Sequence, residues 1–416
     1  MTATVHIIGA GLGGLAAAVR LAPLKRHNIV VHEATAFAGG RCRSYYDAAI
    51  GMTIDNGNHL LLSGNSAALT YLRDIGAGQK LIGPQHAEFT FVDFHSGERW
   101  TLKFNDGPLP FWIFDPRRRV PGTRPLDYLS LARLLWAREG ASVGDVIACK
   151  GVLYRRLVEP LILAALNIDP PQGSARLAAA IVRETLAVGG RACRPLIARD
   201  GLGPTLIEPA LAFLKLQGVT LRLDHQLRAL AFAGDRVASL DFGGETIALG
   251  ADDAVILAVP PYAAATLVSG LEVPREFRAI VNAHFHIAPP PDLPPILAVL
   301  NATVQWIFNF PGRVSVTISA GDRLIDSPRE DLAKTIWDEV SRVTGLPAAL
   351  PPWQIVRERR ATFAATPAQN GKRPRAATNW RNLVLAGDWT DTGLPATIEG
   401  AIRSGNRAAH IIAQLP

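Results

Sequence analysis

The amino-acid sequence predicts an α/β protein of two domains, and three observations support this prediction. A strand, a glycine-rich turn and a helix follow one another at the start of the chain, over residues 5–21. A second strand, a turn and a long helix pattern occupy residues 382–413. Between these segments strand and helix patterns continue, and 416 residues are enough for two domains. We therefore expect a strand–helix domain made from both ends of the chain, beside a second α+β domain of mixed sheet plus helices.

The composition is that of a folded globular protein, with 48% hydrophobic and 19% charged residues. The net charge is +7, but the basic residues are scattered apart from a cluster at 117–119 and a looser one at 372–375. No nucleic-acid motif accompanies them, so we expect no nucleic-acid partner. Three widely spaced cysteines, Cys42, Cys149 and Cys193, form neither a disulfide framework nor a metal pattern. We expect no metal.

The expected location is the cytoplasm, with the inner face of the cytoplasmic membrane as a peripheral alternative. The first 24 residues lack the basic start of a signal peptide, and glycines interrupt their apolar run. No uncharged stretch reaches the roughly 20 residues that a membrane-spanning helix needs.

The glycine-rich turn at the start of the chain has the GxGxxG pattern of a dinucleotide-binding turn. It runs through Gly9, Ala10, Gly11, Gly13 and Gly14. Gly9 permits the tight turn, Gly11 lets the backbone approach a pyrophosphate, and Gly14 allows close packing of helix on strand. The N-terminus of the following helix offers free N–H groups and a positive dipole to phosphates. The pattern therefore predicts a Rossmann-type nucleotide site.

An acidic residue completes this unit. A second strand over residues 29–32 ends at Glu33, whose carboxylate can accept hydrogen bonds from ribose hydroxyls. No arginine follows at once to bind a 2′-phosphate. The unit by itself leaves FAD and NAD open.

Two further stretches favour FAD. The GGR run containing Gly40 and Arg41 resembles a box of the flavin amine oxidase and phytoene desaturase superfamily, in which the arginine and nearby backbone contact the cofactor. A turn with a solvated arginine is the alternative. The IDNGNH run, with Gly57, Asn58 and His59, resembles the D-x-G-x-H stretch that this superfamily places beside the flavin ring.

The end of the chain provides the strongest indication of FAD. A strand over residues 382–386 ends at Gly387 and Asp388, and Asp388 can bond a ribityl hydroxyl. After a turn, Thr397 and Ile398 open the final helix, whose positive end would face the flavin's pyrimidine side and stabilise the reduced form. We predict FAD, bound non-covalently because no cysteine follows Cys193.

These segments predict a discontinuous FAD-binding domain over residues 1–66, 195–262 and 378–416. The remainder, residues 67–194 and 263–377, should form the substrate-binding domain. Within it, residues 304–310 alternate as a strand with an apolar face, and a Pro-Gly turn should join this strand to a hairpin partner. Two interpretations stay open for that face: packing on helices, or the floor of a long apolar substrate tunnel.

Residues 107–119 place four consecutive bulky apolar residues before three arginines. This order suits docking on an anionic membrane surface. A buried apolar patch followed by solvated charges is the alternative.

Three runs carry a more specific resemblance: GDWTDTGLPATIEGA from residue 387, RATFAATP from residue 360 and ISAGDR from residue 318. They resemble the hydroxysqualene dehydroxylase family, also called squalene-associated FAD-dependent desaturases, and the resemblance extends from Val5 to the C-terminus. It implies reduction of hydroxysqualene, a long isoprenoid, to squalene in bacterial hopanoid synthesis, with loss of the hydroxyl and hydride transfer from reduced flavin. A carotenoid or phytoene-type desaturase and a flavin amine oxidase are the alternatives.

The proton donor to the leaving hydroxyl is open. His59 is the first candidate, because histidine protonates near neutral pH; the alternative is that it packs against the flavin. Asp55 is the second candidate, with turn capping as its alternative. No second GxGxxG unit is evident, so NADPH or a partner reductase must supply the electrons.

Overall fold

A computed structural model describes residues 2–415. It contains the following strands: β1 (Thr4–Ile8), β2 (Asn28–His32), β3 (Ser44–Asp47), β4 (Met52–Asp55), β5 (Leu60–Leu62), β6 (Leu81–Ile82), β7 (Glu88–Asp93), β8 (Arg99–Lys103), β9 (Pro195–Ala198), β10 (Thr220–Arg222), β11 (Ala229–Ala233), β12 (Arg236–Asp241), β13 (Thr246–Ala248), β14 (Ala254–Leu257), β15 (Phe277–His286), β16 (Ile296–Leu300), β17 (Trp306–Phe310), β18 (Arg313–Ile318), β19 (Trp353–Phe363) and β20 (Leu383–Leu385). The α-helices are α1 (Leu12–Leu21), α2 (Ser66–Asp74), α3 (Leu129–Arg133), α4 (Val143–Val146), α5 (Glu159–Leu166), α6 (Ala175–Glu184), α7 (Glu208–Leu216), α8 (Pro261–Leu267), α9 (Arg329–Thr344), α10 (Pro367–Gly371) and α11 (Ile398–Ala413).

A five-stranded parallel sheet joins the two ends of the chain. Its strand order is β10-β2-β1-β14-β20, and every pair is parallel. Helices α1 and α11 pack against each other so closely that a Cβ on Gly405 would lie 2.1 Å from the carbonyl oxygen of Gly13. The predicted α/β class, with a nucleotide-type sheet drawn from distant segments, is confirmed.

A seven-stranded mixed sheet forms the second large unit, in the order β19-β15-β18-β17-β16-β7-β8. Only the β16–β7 pair is parallel. Its strands all lie in the segments that the sequence assigned to the substrate domain. Helix α2, beyond the predicted boundary at residue 66, instead shares the apolar core of the parallel-sheet unit through Ala68, Tyr71 and Leu72.

The predicted hairpin is confirmed, since β17 and β18 pair in antiparallel register from Trp306↔Thr317 to Phe310↔Arg313. Both faces of β17 are covered by packed side chains. Ile307 packs in the core that contains Trp337 of α9, whereas Phe308 packs on the opposite side with α5 and α6. Packing of this sheet on helices is therefore what the structure shows.

Within residues 2–415, no helix combines the length and apolar character needed to cross a bilayer.

Candidate cofactor site and active site

The glycine turn after β1 has the geometry of a phosphate cradle. Gly9 has φ +107°, and a Cβ there would lie 2.5 Å from the carbonyl oxygen of Ala258. Beside Gly11 the position of a Cβ meets no atom within 4 Å, so open space lies in front of the turn. Helix α1 starts at Leu12 without a side-chain cap or an acidic residue in its first turn. Its positive end is therefore available to a diphosphate.

Glu33 lies directly beside this turn. Its Oε2 accepts from the backbone N–H of Ala10 at 2.9 Å, and its Oε1 accepts from the backbone and hydroxyl of Thr35. These bonds fix the carboxylate next to the cradle, where a ribose attached to a bound diphosphate would lie.

The GGR run packs on the glycine turn. Gly39 donates its N–H to the carbonyl of Ala10 at 2.8 Å, and a Cβ on Gly40 would lie 3.5 Å from the Cα of Gly11. The next side chain, Arg41, reaches Asp388 at 2.7 Å and the carbonyl of Ala361 at 2.6 Å. The structure therefore brings two predicted cofactor residues from opposite ends of the chain into direct contact.

Arg41 and Asp388 form a partly enclosed ion pair. Burial disfavours the charge on Arg41, but the carboxylate of Asp388 and its hydrogen bond outweigh this and raise the pKa of the guanidinium. The Arg41 side chain is 43% exposed and that of Asp388 is 8% exposed. Arg41 donates a hydrogen bond to one carboxylate oxygen of Asp388. Among the described residues, none donates a hydrogen bond to the second oxygen of that carboxylate. That second oxygen is free to accept from a ribityl hydroxyl.

The first turn of α11 carries one carboxylate, that of Glu399, and this group does not face the cofactor site. Thr397 caps the helix by accepting from the N–H of Gly400 at 3.0 Å. The carboxylate of Glu399 turns away and accepts from the N–H groups of Ala67 and Ala68 at the start of α2. Ile398, predicted near the cofactor, is buried in the parallel-sheet core.

His59 lies at the edge of this site and is neutral at physiological pH. Burial, reinforced by the positive charge of Arg41, lowers the pKa of His59 to about 4. The side chain nevertheless keeps some accessible surface, although Asn58 before it is buried.

Asn58 ties its loop to the seven-stranded sheet. Its side-chain amide donates to the carbonyl of Val316 and to the hydroxyl of Thr317, each at 3.1 Å. Asn282 on β15 accepts from the backbone N–H of Asn58 at 3.3 Å and from the Thr317 hydroxyl at 2.8 Å. A Cβ on Gly57 would lie 3.3 Å from the amide of Asn282, so this position favours glycine.

Asp55 is held in a different set of contacts, which join distant segments and do not cap its own turn, so the turn-capping alternative is wrong. It accepts from the hydroxyl of Ser44 at 2.5 Å and from the backbone N–H of Leu202 at 2.8 Å. Its other oxygen lies 3.7 Å from Arg313, and these two side chains are 3% and 6% exposed. Burial raises the pKa of Asp55, and the hydrogen bonds oppose that rise. The carboxyl group is therefore fully engaged by protein.

The face of the seven-stranded sheet that is turned away from α9 changes character across three strands. Asn282 and His284 on β15 register with Thr317 and Ser315 on β18. Those two residues register in turn with Trp306 and Phe308 on β17. A polar end beside the loop of His59 thus passes directly into an aromatic end, and the side chains of both ends are buried.

Sequence reasoning missed Arg373 as a site residue and placed it only in a loose basic cluster. In the structure it is 6% exposed and donates to the backbone carbonyls of Asp388, Trp389 and Thr390. Burial lowers the pKa of its guanidinium to about 10. Arg373 therefore fixes the loop that carries Asp388; an arginine separated by 15 residues from its acceptor gives no sequence signal.

Two surface clefts, of about 330 and 200 Å³, are lined by other residues than those above. Among the described residues, no group of His, Cys, Asp or Glu side chains could hold a metal ion.

A phosphate cradle, an acid beside it and a sheet joining both chain ends define a dinucleotide-binding protein. Residues 12–413 match the family described as flavin containing amine oxidoreductase. The chain belongs to this family, and its cofactor is FAD. The residues described fit that cofactor, because open space lies before Gly11, and Asp388 has a free oxygen.

Relatives that match almost the whole chain show which members of this family it is similar to. The chain is 62% identical over 413 residues to hydroxysqualene dehydroxylase of Rhodopseudomonas palustris, covering 99% of both chains. It is 58% identical to hydroxysqualene dehydroxylase of Sinorhizobium fredii, covering 99% of this chain and 98% of the relative. Among solved structures, cyclohexylamine oxidase from Brevibacterium oxydans matches with a TM-score of 0.73 at 16% identity, covering 100% of this chain and 99% of that one. At that identity the last comparison supports the fold alone.

Proposed function

We propose that this chain is a hydroxysqualene dehydroxylase, an FAD-dependent oxidoreductase that reduces hydroxysqualene to squalene in bacterial squalene and hopanoid synthesis. The observation that carries the proposal is 62% identity over 99% of the chain to an enzyme of that name. The sheet face described above supports it, because a polar end beside His59 continues into an apolar surface.

The reaction breaks a C–O bond and forms a C–H bond. The leaving oxygen takes a proton and departs as water, and the carbon takes a hydride, which bound reduced FAD supplies. The hydroxyl is allylic, so the positive charge that develops as the bond breaks is delocalised. The protein must hold the long substrate, exclude water and protonate the leaving oxygen.

We propose that His59 binds the leaving oxygen as a hydrogen-bond donor. In its neutral state the imidazole N–H can donate a hydrogen bond to the leaving oxygen. The carboxyl group of Asp55 does not compete for this role, because protein donors and Arg313 occupy it.

The cofactor residues have defined tasks in this proposal. The turn from Gly9 to Gly14 binds the diphosphate, Glu33 the adenosine ribose and Asp388 the ribityl chain. FAD is held without a covalent bond, and an external nicotinamide or reductase delivers the two electrons.

The test is anaerobic. The flavin of the purified protein is reduced, hydroxysqualene is added, and flavin reoxidation is followed together with the lipid products. We expect one squalene for each flavin reoxidised. A flavin that stays reduced would contradict the proposal, and conversion of phytoene by the oxidised enzyme would establish a desaturase instead. Hydrogen peroxide release with amines would indicate an amine oxidase.

A further inference from the structure

Large apolar side chains protrude from one part of the surface. Between residues 109 and 136, six of them are 61–76% exposed. They are Leu109, Phe111, Phe114, Leu126, Leu129 and Trp136, and we call this set the docking face. Exposed apolar residues scattered singly are normal, but six within 28 residues of chain indicate an interaction surface.

The first half of the docking face lies on a 3₁₀-helix, Phe111–Phe114. With three residues per turn, Phe111 and Phe114 lie on the same side of that helix. Trp112 and Ile113 point inward and are buried, and Trp112 packs edge-on against Phe104 at 4.8 Å. Within this run the side chains of Phe111 and Phe114 are therefore exposed, whereas those between them are buried.

The second half lies on the helical segment 125–136. It comprises the 3₁₀-helix Pro125–Tyr128, α3 and the 3₁₀-helix Leu134–Trp136. Its inner side, made of Tyr128, Leu131 and Leu134, is buried. Its outer side carries Leu126, Leu129 and Trp136 at helical spacing. The rings of Trp112 and Tyr128 lie 5.2 Å apart, so the two halves are neighbours.

The charges around the docking face are mostly positive. Residues 107–138 contain six arginines and two aspartates. Arg117, Arg124, Arg133 and Arg138 are exposed. Both aspartates are engaged locally: Asp115 lies 3.2 Å from Arg117, and Asp127 accepts from the backbone N–H of Arg124 at 2.7 Å. An excess of cations therefore faces outward together with the apolar side chains.

We propose that the docking face inserts into the surface of an anionic lipid bilayer. Short helices that present separate apolar side chains among arginines suit the boundary between acyl chains and phosphate headgroups. The inner sides of the same helices belong to the core that contains Trp306 and Phe308 of the aromatic sheet end. The docking face therefore shares one apolar core with the residues proposed to hold the isoprenoid. The inference rests on the proposed function in one respect, the delivery of a membrane-dissolved substrate.

Flotation with lipid vesicles tests it, using the full-length FAD-loaded protein. We expect binding to vesicles of phosphatidylcholine with phosphatidylglycerol, and weaker binding to phosphatidylcholine alone. Phe111→Ser with Phe114→Ser should weaken binding by at least about tenfold. Arg124→Gln with Arg133→Gln should weaken it by about fivefold for each arginine. Leu216→Ser, at a side chain 86% exposed on α7, is the matched control and should bind as the unaltered protein does.

Vesicle binding that is unchanged in the double phenylalanine variant would overturn the proposal, as would no binding by the unaltered protein. A dimer that this variant dissociates, without vesicle binding, would assign the face to a second copy of the chain and also overturn it. Turnover of detergent-dispersed hydroxysqualene separates the two proposals. If both proposals hold, the docking variants should keep that turnover. If only the proposed function is wrong, neither the unaltered protein nor the variants should turn over hydroxysqualene, and the unaltered protein should still bind vesicles.

Discussion

Replacing Asp55 by asparagine distinguishes a structural carboxylate from a catalytic one. The substitution keeps acceptors for Ser44 and Leu202 but removes the charge that lies 3.7 Å from Arg313. Both side chains of the pair are nearly inaccessible, so Asp55→Asn leaves a buried cation without its partner. Breaking such a pair costs about 3–5 kcal/mol, and the desolvation of Asp55 itself favours the lower end, about 3 kcal/mol. Urea unfolding of the FAD-loaded protein measures this loss.

A matched control is available in the pair of Asp326 with Arg359, whose charged atoms lie 2.7 Å apart. Those side chains are 80% and 64% exposed, so Asp326→Asn should cost less than about 1 kcal/mol. If Asp55 is structural, Asp55→Asn should change the rate of squalene formation by less than about threefold. Loss of a catalytic proton donor would instead lower the rate by about 10²–10⁴. A large loss of rate with unchanged stability would refute the structural assignment.

Three further predictions concern the cofactor site. Gly405→Ala should destabilise the fold by about 2–3 kcal/mol and release FAD, because its Cβ would meet the carbonyl of Gly13 at 2.1 Å; Gly244→Ala, in open space, is the control, and equal melting temperatures would contradict the prediction. The folded pKa of His59, about 4, lies below 6.5, so the unfolded chain binds the proton first and stability falls as pH drops from 6.5 towards 4. His59→Gln should flatten that part of the stability profile; an unchanged slope in urea titrations would argue against it. Arg373→Lys should weaken FAD binding about tenfold in fluorescence titrations, because an ammonium cannot replace a fork that reaches three carbonyls, and unaltered affinity would exclude the positioning role.

Local requirements of the fold were predictable from the sequence, whereas pairings between distant residues were not. The glycine turn could be predicted because the positive φ of Gly9 and the close approach of the Gly9 carbonyl to Gly14 each require glycine at one position. Arg41 and Asp388 were each identified, but 347 residues separate them, and no local pattern predicts their ion pair. The pKa of His59 depends on its burial in the folded chain, which no local pattern predicts.

The sequence also predicted only in part which side chains point into the core and which point outward. Alternation predicted β17 correctly because its inner position keeps it regular, with Trp306 to Phe310 in unbroken pairing. The run at residues 111–114 was ambiguous, because its 3₁₀ geometry turns Phe111 and Phe114 outward and Trp112 inward. The stripe on residues 125–136 was not recognised at all, since apolar residues occupy both sides of that helix.

The order of strands in the parallel sheet has a consequence for biosynthesis. β14 lies between β1 and β20, all four of its residues are buried, and β20 follows every other strand along the chain. During translation the sheet therefore keeps an unpaired apolar edge until β20 emerges, and the helix that closes over it comes later still. Cofactor capture would then wait for β20 to emerge, and a nascent chain would need protection at that edge until then.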